Sequence, residues 1–316
     1  YLSRYKDEWS QEEIDNTADA VAQGAIKYGM NKMDLGNMPY DGGSLLLSKS
    51  DAIDLDLSGE DQERFVRRIF GSKEFISNLV RYCLWIEDSD LASAQAHPKI
   101  QARVEAVRAM RSKSTDKGGR AMAARAHQMR EMRSSSSHTL VIPRTSSESR
   151  QFLPAGVVAN TSVVSSEAFA IFDGPLWQLG LLLSRMHLQW IATVCGQLET
   201  RYRYSNVLGW NTFPVPPLTE KNKADLTRCA ENILLAREAH FPATIADLCQ
   251  AFGTQQREPF RDHSGAGEEL AQIGDCLRPV AGFFLQLAVR GGDGAFVRRT
   301  VIVADQPGGD FETATT

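Results

Sequence analysis

Cysteine is scarce in this 316-residue chain, and the few cysteines present carry no pairing signal. Cys83, Cys195, Cys229, Cys249 and Cys276 are odd in number, widely spaced and never in a CxxC pair. Reduced, mostly buried thiols are therefore expected, without a disulfide framework or a zinc site. Long apolar runs are lacking too. The most apolar stretch, Pro175 to Leu198, is interrupted by Arg185, His187 and Gln189, and its uncharged part falls short of the ~20 residues needed to cross a bilayer. It reads as a buried helix, so no membrane partner is expected and a cytoplasmic location is the default. No signal-like segment follows Tyr1, and a first residue other than Met reads as a piece of a longer reading frame. Also missing are the short patterns that announce chemistry. There is no phosphate-binding loop, GxSxG elbow, HExxH pair or Gly-rich dinucleotide fingerprint. Nor is there the Asn/Asp-Pro-Pro-aromatic tetrapeptide with which amino-methyltransferases hold a flipped base, since Asn211-Thr-Phe-Pro214 has the wrong order. No catalytic residue, metal or cofactor is expected within the chain.

What is there is the composition of a globular protein, with 42% apolar and 23% charged residues. The net charge of −4 is unevenly spread. Tyr1 to Ala96 holds eighteen Asp/Glu against ten Lys/Arg, whereas His97 to Arg203 holds fifteen Lys/Arg against seven Asp/Glu. A local basic excess suits phosphate contacts, because neutralising phosphates releases condensed counterions. An Arg-rich solvated helix face would give the same composition.

Along the chain, Asp34 to Gly43 is a Gly/Asn/Asp/Pro loop and Ser44 to Leu47 a short strand. Ser58 reads as the cap of a helix whose apolar stripe runs through Phe65, Ile69 and Phe70 and closes at Gly71. Glu74 to Ile86 is core in helix or strand form. Pro98 opens a helix through Ile100, Val104, Val107 and Met110, and Arg120 to Arg133 has a second helical pattern. After four serines the period becomes that of strands at Thr139–Pro143, Phe152–Ala159, Ser162–Ser166 and Ala168–Phe172. One long helix then runs from Pro175 to Leu198, and Thr219 to His240 reads as one amphipathic helix. The fold class is α+β, a sheet with a long buried helix, followed by a truncated helical domain.

Two constellations could carry recognition. In Glu199-Thr-Arg-Tyr-Arg-Tyr-Ser205, an extended backbone would set Glu199, Arg201 and Arg203 on one side and Tyr202 and Tyr204 on the other. A Glu can accept from the exocyclic amine of cytosine and an Arg can donate two bonds to guanine, so Glu199 with Arg201 could read one C·G pair. A surface ion pair is the plainer reading. In Arg144-Thr-Ser-Ser-Glu-Ser-Arg150, Arg144, Ser146, Ser147 and Arg150 suit backbone phosphates, and a plain Ser-rich solvent loop is the competing reading. Arg111 and Arg120 are further candidates for the DNA backbone, beside Arg103, Arg108, Arg125, Arg130 and Arg133. His187 reads as a core residue.

The order of segments resembles the target-recognition region of the MmeI-like (type IIL) enzymes, single chains joining a nuclease, a methyltransferase and a DNA-reading domain. The matching stretches are Gly36-Asn-Met-Pro-Tyr-Asp-Gly-Gly43, Gly71-Ser-Lys-Glu-Phe75, Arg81-Tyr-Cys-Leu-Trp-Ile86, Val141-Ile-Pro-Arg-Thr-Ser-Ser-Glu148, Leu183-Ser-Arg-Met-His187, Arg201-Tyr-Arg-Tyr-Ser-Asn206, Asn211-Thr-Phe-Pro214 and Ile245-Ala-Asp-Leu248. The resemblance implies that the parent enzyme transfers a methyl group from S-adenosylmethionine to an adenine amine in double-stranded DNA, with its methyltransferase domain ahead of Tyr1. It implies paired base-reading positions at Glu199 and Arg201, where Glu-x-Arg or Lys-x-Asp is usual, and a similar role for Arg203. The expected organisation is residues 1–33 as the tail of the methyltransferase domain, 34–217 as the DNA target-recognition domain and 218–248 as the start of a helical domain. Residues 249–316 depart from the family's pattern, and a frameshifted or disordered end is expected there. The alternatives are a stand-alone nucleic-acid-binding module and an inactive remnant of such a methyltransferase.

Overall fold

The computed structural model describes residues 30–249, apart from 151 and 216. The expected divergent segment beyond 249, and all but the last four residues of the expected methyltransferase tail, lie outside the described residues. Within them the fold is α+β. In chain order the strands are β1 Asp34–Leu35, β2 Leu46–Leu47, β3 Val66–Phe70, β4 Tyr82–Leu84, β5 His138–Pro143, β6 Thr145–Ser146, β7 Gly156–Ala159, β8 Val163–Val164, β9 Ala168–Phe172, β10 Gln197–Leu198 and β11 Arg201–Arg203. They form three sheets, ordered β1-β9-β5-β7, β2-β4-β3-β8 and β10-β11-β6.

The first sheet is antiparallel throughout and carries the C-terminal half of the core. Leu140, Ile142, Phe169 and Ile171 pack on Leu179, Leu182, Leu188, Ile191 and Trp210. The second sheet serves the N-terminal half, where Phe65, Ile69, Leu84 and Trp85 pack on Ile100, Val104 and Val107 of the helix Pro98–Ser112. That helix begins at Pro98 because proline supplies a helical φ where no N–H partner is needed. β8 leaves the first sheet's neighbourhood to pair in parallel with β3 and so stitches the halves together.

Gly36 is held at this stitch. A Cβ there would sit 2.2 Å from the Ser165 carbonyl oxygen, so the close approach of the two backbones needs glycine. Next to it, buried Asn37 donates to the carbonyls of Arg133 (2.9 Å) and Val164 (3.2 Å) and accepts from the Arg133 N–H (2.8 Å). Buried Asp41 receives the N–H groups of Gly43, Leu45 and Leu46. The Gly36–Gly43 stretch is thus a polar clamp, which satisfies backbone groups that burial would otherwise leave unpaired.

Several elements differ from the sequence expectation, and the helical pattern read over Arg120–Arg133 is helical only as far as Arg125. The helix capped by Ser58 ends at Phe65, and Val66–Phe70 is a strand. Its apolar residues fit a helical stripe equally well, but pairing with β4 and β8 decides the matter. Gly71 caps the start of the next helix, Ser72–Ser77, and closes nothing. The single helix expected over Pro175–Leu198 is two, Leu176–Leu182 and Arg185–Val194, because the Ser184 hydroxyl accepts from the His187 N–H and starts a new helix. The helix expected over Thr219–His240 is Glu220–Ala239, which Thr219 caps and which packs on Leu176–Leu182. Gly180 allows that contact, since a Cβ there would lie 2.7 Å from the Leu226 carbonyl oxygen. No helix among the described residues is long and apolar enough to cross a membrane.

Candidate nucleic-acid interface

The third sheet joins the two stretches that sequence singled out separately. β10 and β11 form a hairpin with Leu198 opposite Arg201, leaving Glu199 and Thr200 as a two-residue turn. β11 pairs on its other edge with β6, setting Tyr202 opposite Ser146 and Arg203 opposite Thr145. The register is extended by the Tyr204 N–H, which donates to the Arg144 carbonyl at 2.8 Å. Residues 56 to 60 positions apart therefore share one small sheet.

Alternation along β11 is as expected: Arg201 and Arg203 are exposed, Tyr202 is half-buried and Tyr204 is buried. Tyr204 anchors the hairpin. Its hydroxyl lies 2.9 Å from His187 Nε2, its ring packs near Phe169, and burial raises its pKa well above the usual phenol value. His187 is wholly buried and faces Tyr204, Trp210 and Phe213, in keeping with a core role.

Glu199 is not part of the alternation. It sits in the turn with φ +58°, a left-handed conformation that costs a non-glycine residue roughly 1 kcal/mol or more. Its side chain is 72% exposed and ion-paired with that of Arg201, which is 50% exposed. The two candidate readers thus satisfy each other at the tip. Such an exposed pair adds little stability, on the order of 0–1 kcal/mol. Beside them the Glu148 carboxylate accepts from the Thr200 hydroxyl at 2.9 Å. Its pKa is lowered by its own backbone N–H, then by that hydroxyl, with a smaller contribution from the Arg201 charge. Sequence reasoning passed over Glu148 and Thr200, because only the pairing of β6 with β11 brings them together.

The expected backbone-contact residues divide. Arg144 is half-buried, lies over the Phe169 ring and donates to the Ser166 carbonyl at 3.1 Å. Its own N–H donates to the Ser72 hydroxyl, which in turn donates to the Glu167 carbonyl. Ser147 is half-buried, and its hydroxyl is 2.8 Å from that of Ser149 in a turn closed by the Arg150 N–H. Arg150 is half-buried and donates to Ser146 Oγ at 3.3 Å. Arg120 is exposed on the helix Lys117–Ala121 and donates to the Ser114 and Thr115 carbonyls.

Two of these residues cannot touch a phosphate. Ser146 is 3% exposed, because β6 turns it inward. Arg111 is 0% exposed, and its guanidinium donates to the carbonyls of Pro39, Tyr40, Met122, Arg125 and Gln128. It is a structural tie among three loops. Arg103 is likewise occupied, by Asp51 and the Ser44 carbonyl.

Two hollows among the described residues lie away from this site. A hollow of about 550 Å³ is lined by Lys49, Ile53, Gln62, Glu63 and Tyr82 among others, and one of about 410 Å³ by Trp85, Asp88 and Gln128 among others. Neither includes a residue of 144–150 or 197–205. The hairpin presents side chains outward from its tip, which suits entry into a groove better than enclosure of a small molecule.

The family model of the MmeI target recognition domain matches residues 20–217. This chain belongs to that family. It is 35% identical over 217 residues to DNA methyltransferase A of Bacillus subtilis (strain 168), a match covering 69% of this chain and 25% of that protein. The structure resembles that of the type IIL restriction-modification enzyme MmeI in complex with DNA, with a TM-score of 0.70 and 31% identity. That match covers 80% of this chain and 33% of the other. A stretch of 34 residues is also 62% identical to arginine–tRNA ligase of Bdellovibrio bacteriovorus, over 11% of this chain and 6% of that protein. The chain spans about a quarter of the methyltransferase relative and a third of MmeI.

Proposed function

We propose that this chain selects the DNA sequence at which a restriction-modification methyltransferase acts, by inserting the hairpin Gln197–Arg203 into the major groove of a duplex. The observation that carries the reading is the three-stranded sheet. It gathers Glu199, Arg201 and Arg203 on an outward-facing hairpin and places Ser147 and Arg150 in the adjoining turn.

In the groove, the Glu199–Arg201 pair exchanges its mutual contact for contacts with one base pair. The carboxylate accepts from cytosine N4 and the guanidinium donates to guanine O6 and N7. The exchange costs little because an exposed ion pair is weak. Arg203, two residues on and also exposed, is assigned a neighbouring base. Arg144, Ser147 and Arg150 contribute contacts that set the register on the backbone, and Arg120 contributes long-range attraction.

Residues 34–217 are assigned to recognition, residues 1–33 to the tail of a methyltransferase domain and 218–248 to a following helical domain. Methyl transfer from S-adenosylmethionine to adenine belongs to that methyltransferase domain, in the cytoplasm. The chain lacks the Asn-Pro-Pro-aromatic tetrapeptide that would hold a flipped adenine beside the methyl donor. No step of transfer is assigned to its residues.

Selection of duplexes from a randomised pool by the full-length protein tests the reading. Glu199→Lys with Arg201→Asp is expected to change the preferred base pair at one position and leave the others alone. An unaltered consensus would remove these residues from the reading role.

A further inference from the structure

We propose that Glu148 is a positioning residue for specificity: through Thr200 it holds the hairpin turn in the one conformation that presents Glu199 and Arg201 to a base pair. The inference rests on the recognition reading above and adds a residue that touches no base.

β11 is fixed on one edge by β6 and at its end by buried Tyr204. β10 has no such support. Gln197 and Leu198 are both exposed and pair only with β11, since β10 is the edge of its sheet. A two-residue turn beyond an edge strand is the part of a hairpin most free to fray, and a two-stranded ribbon is at best marginally stable. Here the turn also carries a residue in the left-handed region, Glu199, with no glycine to relieve it. Something outside the hairpin must favour this geometry.

The link from Glu148 to Thr200 bridges 52 residues and ties the turn to the loop that follows β6. That loop is itself fastened. The Arg150 N–H donates to the Ser147 carbonyl, Ser147 and Ser149 share a hydroxyl contact, and the Arg150 guanidinium reaches Ser146 Oγ. Thr200 lies between the two readers, so rotation of its peptide units would redirect both of their side chains. A carboxylate suits the post better than a hydroxyl, because it accepts from Thr200 while its charge draws Arg201 toward the tip.

Binding to the duplex recovered most often from a randomised pool is compared with binding to one scrambled duplex, using the full-length protein and its variants. Glu148→Ala and Thr200→Val are each expected to lower the preference ratio about tenfold. Together they should lower it no further than either alone, because both break the same link. Glu148→Gln and Thr200→Ser keep an acceptor and a donor and should retain most of the preference. Melting temperature and low-salt binding to the scrambled duplex should not change in any of them. Single-variant ratios like that of the unaltered protein, or losses that add in the double variant, would overturn the proposal while the recognition reading stands. An unaltered protein that shows no preference between the duplexes would remove the reading and the proposal with it.

Discussion

Arg111, in the helix Pro98–Ser112, turns its guanidinium inward, and Arg201, on the small third sheet, turns its own outward. Arg111 lies in a helix that sequence reads as amphipathic and basic, yet it is completely buried, with five carbonyls around it. Arg201 lies in a strand of three residues and is half exposed, held only by a neighbouring carboxylate. The pair shows that a basic stretch is not a binding face by composition alone. What separates them is where backbone acceptors happen to converge. A buried cation is tolerated only when its donors are used, whereas an exposed one remains available to a ligand.

The largest effect is expected of Arg111→Met. It leaves five loop carbonyls without their donor, and a loss of roughly 3–5 kcal/mol in chemical denaturation is expected, with the selected DNA sequence unchanged in the protein that remains folded. Arg201→Ala should do the opposite. Stability should stay within about 0.5 kcal/mol, while discrimination at one base pair falls by about 1–3 kcal/mol, read as a ratio of duplex affinities. If Arg111→Met altered base preference, or Arg201→Ala unfolded the protein, the inward and outward roles would have to be exchanged.

A smaller effect is expected at Asp173, which ties the serine run to the turn after β9. Its carboxylate receives the N–H and hydroxyl groups of Ser136 and Ser137, and the backbone bonds are the largest cause of a pKa far below the ordinary 3.8. Because the folded value is depressed, the stabilisation is present above pH ~4 and is lost as pH falls toward the folded value. The group is exposed and screened, so Asp173→Asn should cost below about 1 kcal/mol at pH 7. The cost should shrink in denaturation curves taken at progressively lower pH.

The parts legible in sequence were those set by local chemistry. The helix from Glu220 to Ala239 falls within the amphipathic stretch Thr219–His240. Pro98 opens its helix, and β5, β7, β8 and β9 fall within the β-branched runs. The illegible parts depended on distant partners. Val66–Phe70 became a strand because β4 and β8 were there to pair with it, and Glu199 left the alternation because the turn falls on it. In the candidate site, the types and order of Glu199, Arg201 and Arg203 were legible. Their union with Arg144–Arg150 was not, since no local pattern encodes the register of Tyr202 against Ser146.

That register has a mechanical meaning. β5 runs through Arg144 directly into β6, so a single length of backbone is an inner rung of the main sheet and then the outer rung of the small one. The hairpin cannot tilt without dragging core residues such as Leu140 and Ile142 along with it. On the proposed reading, the hairpin's angle of approach to a duplex is set by the protein's interior, and a change of target falls to the side chains it carries.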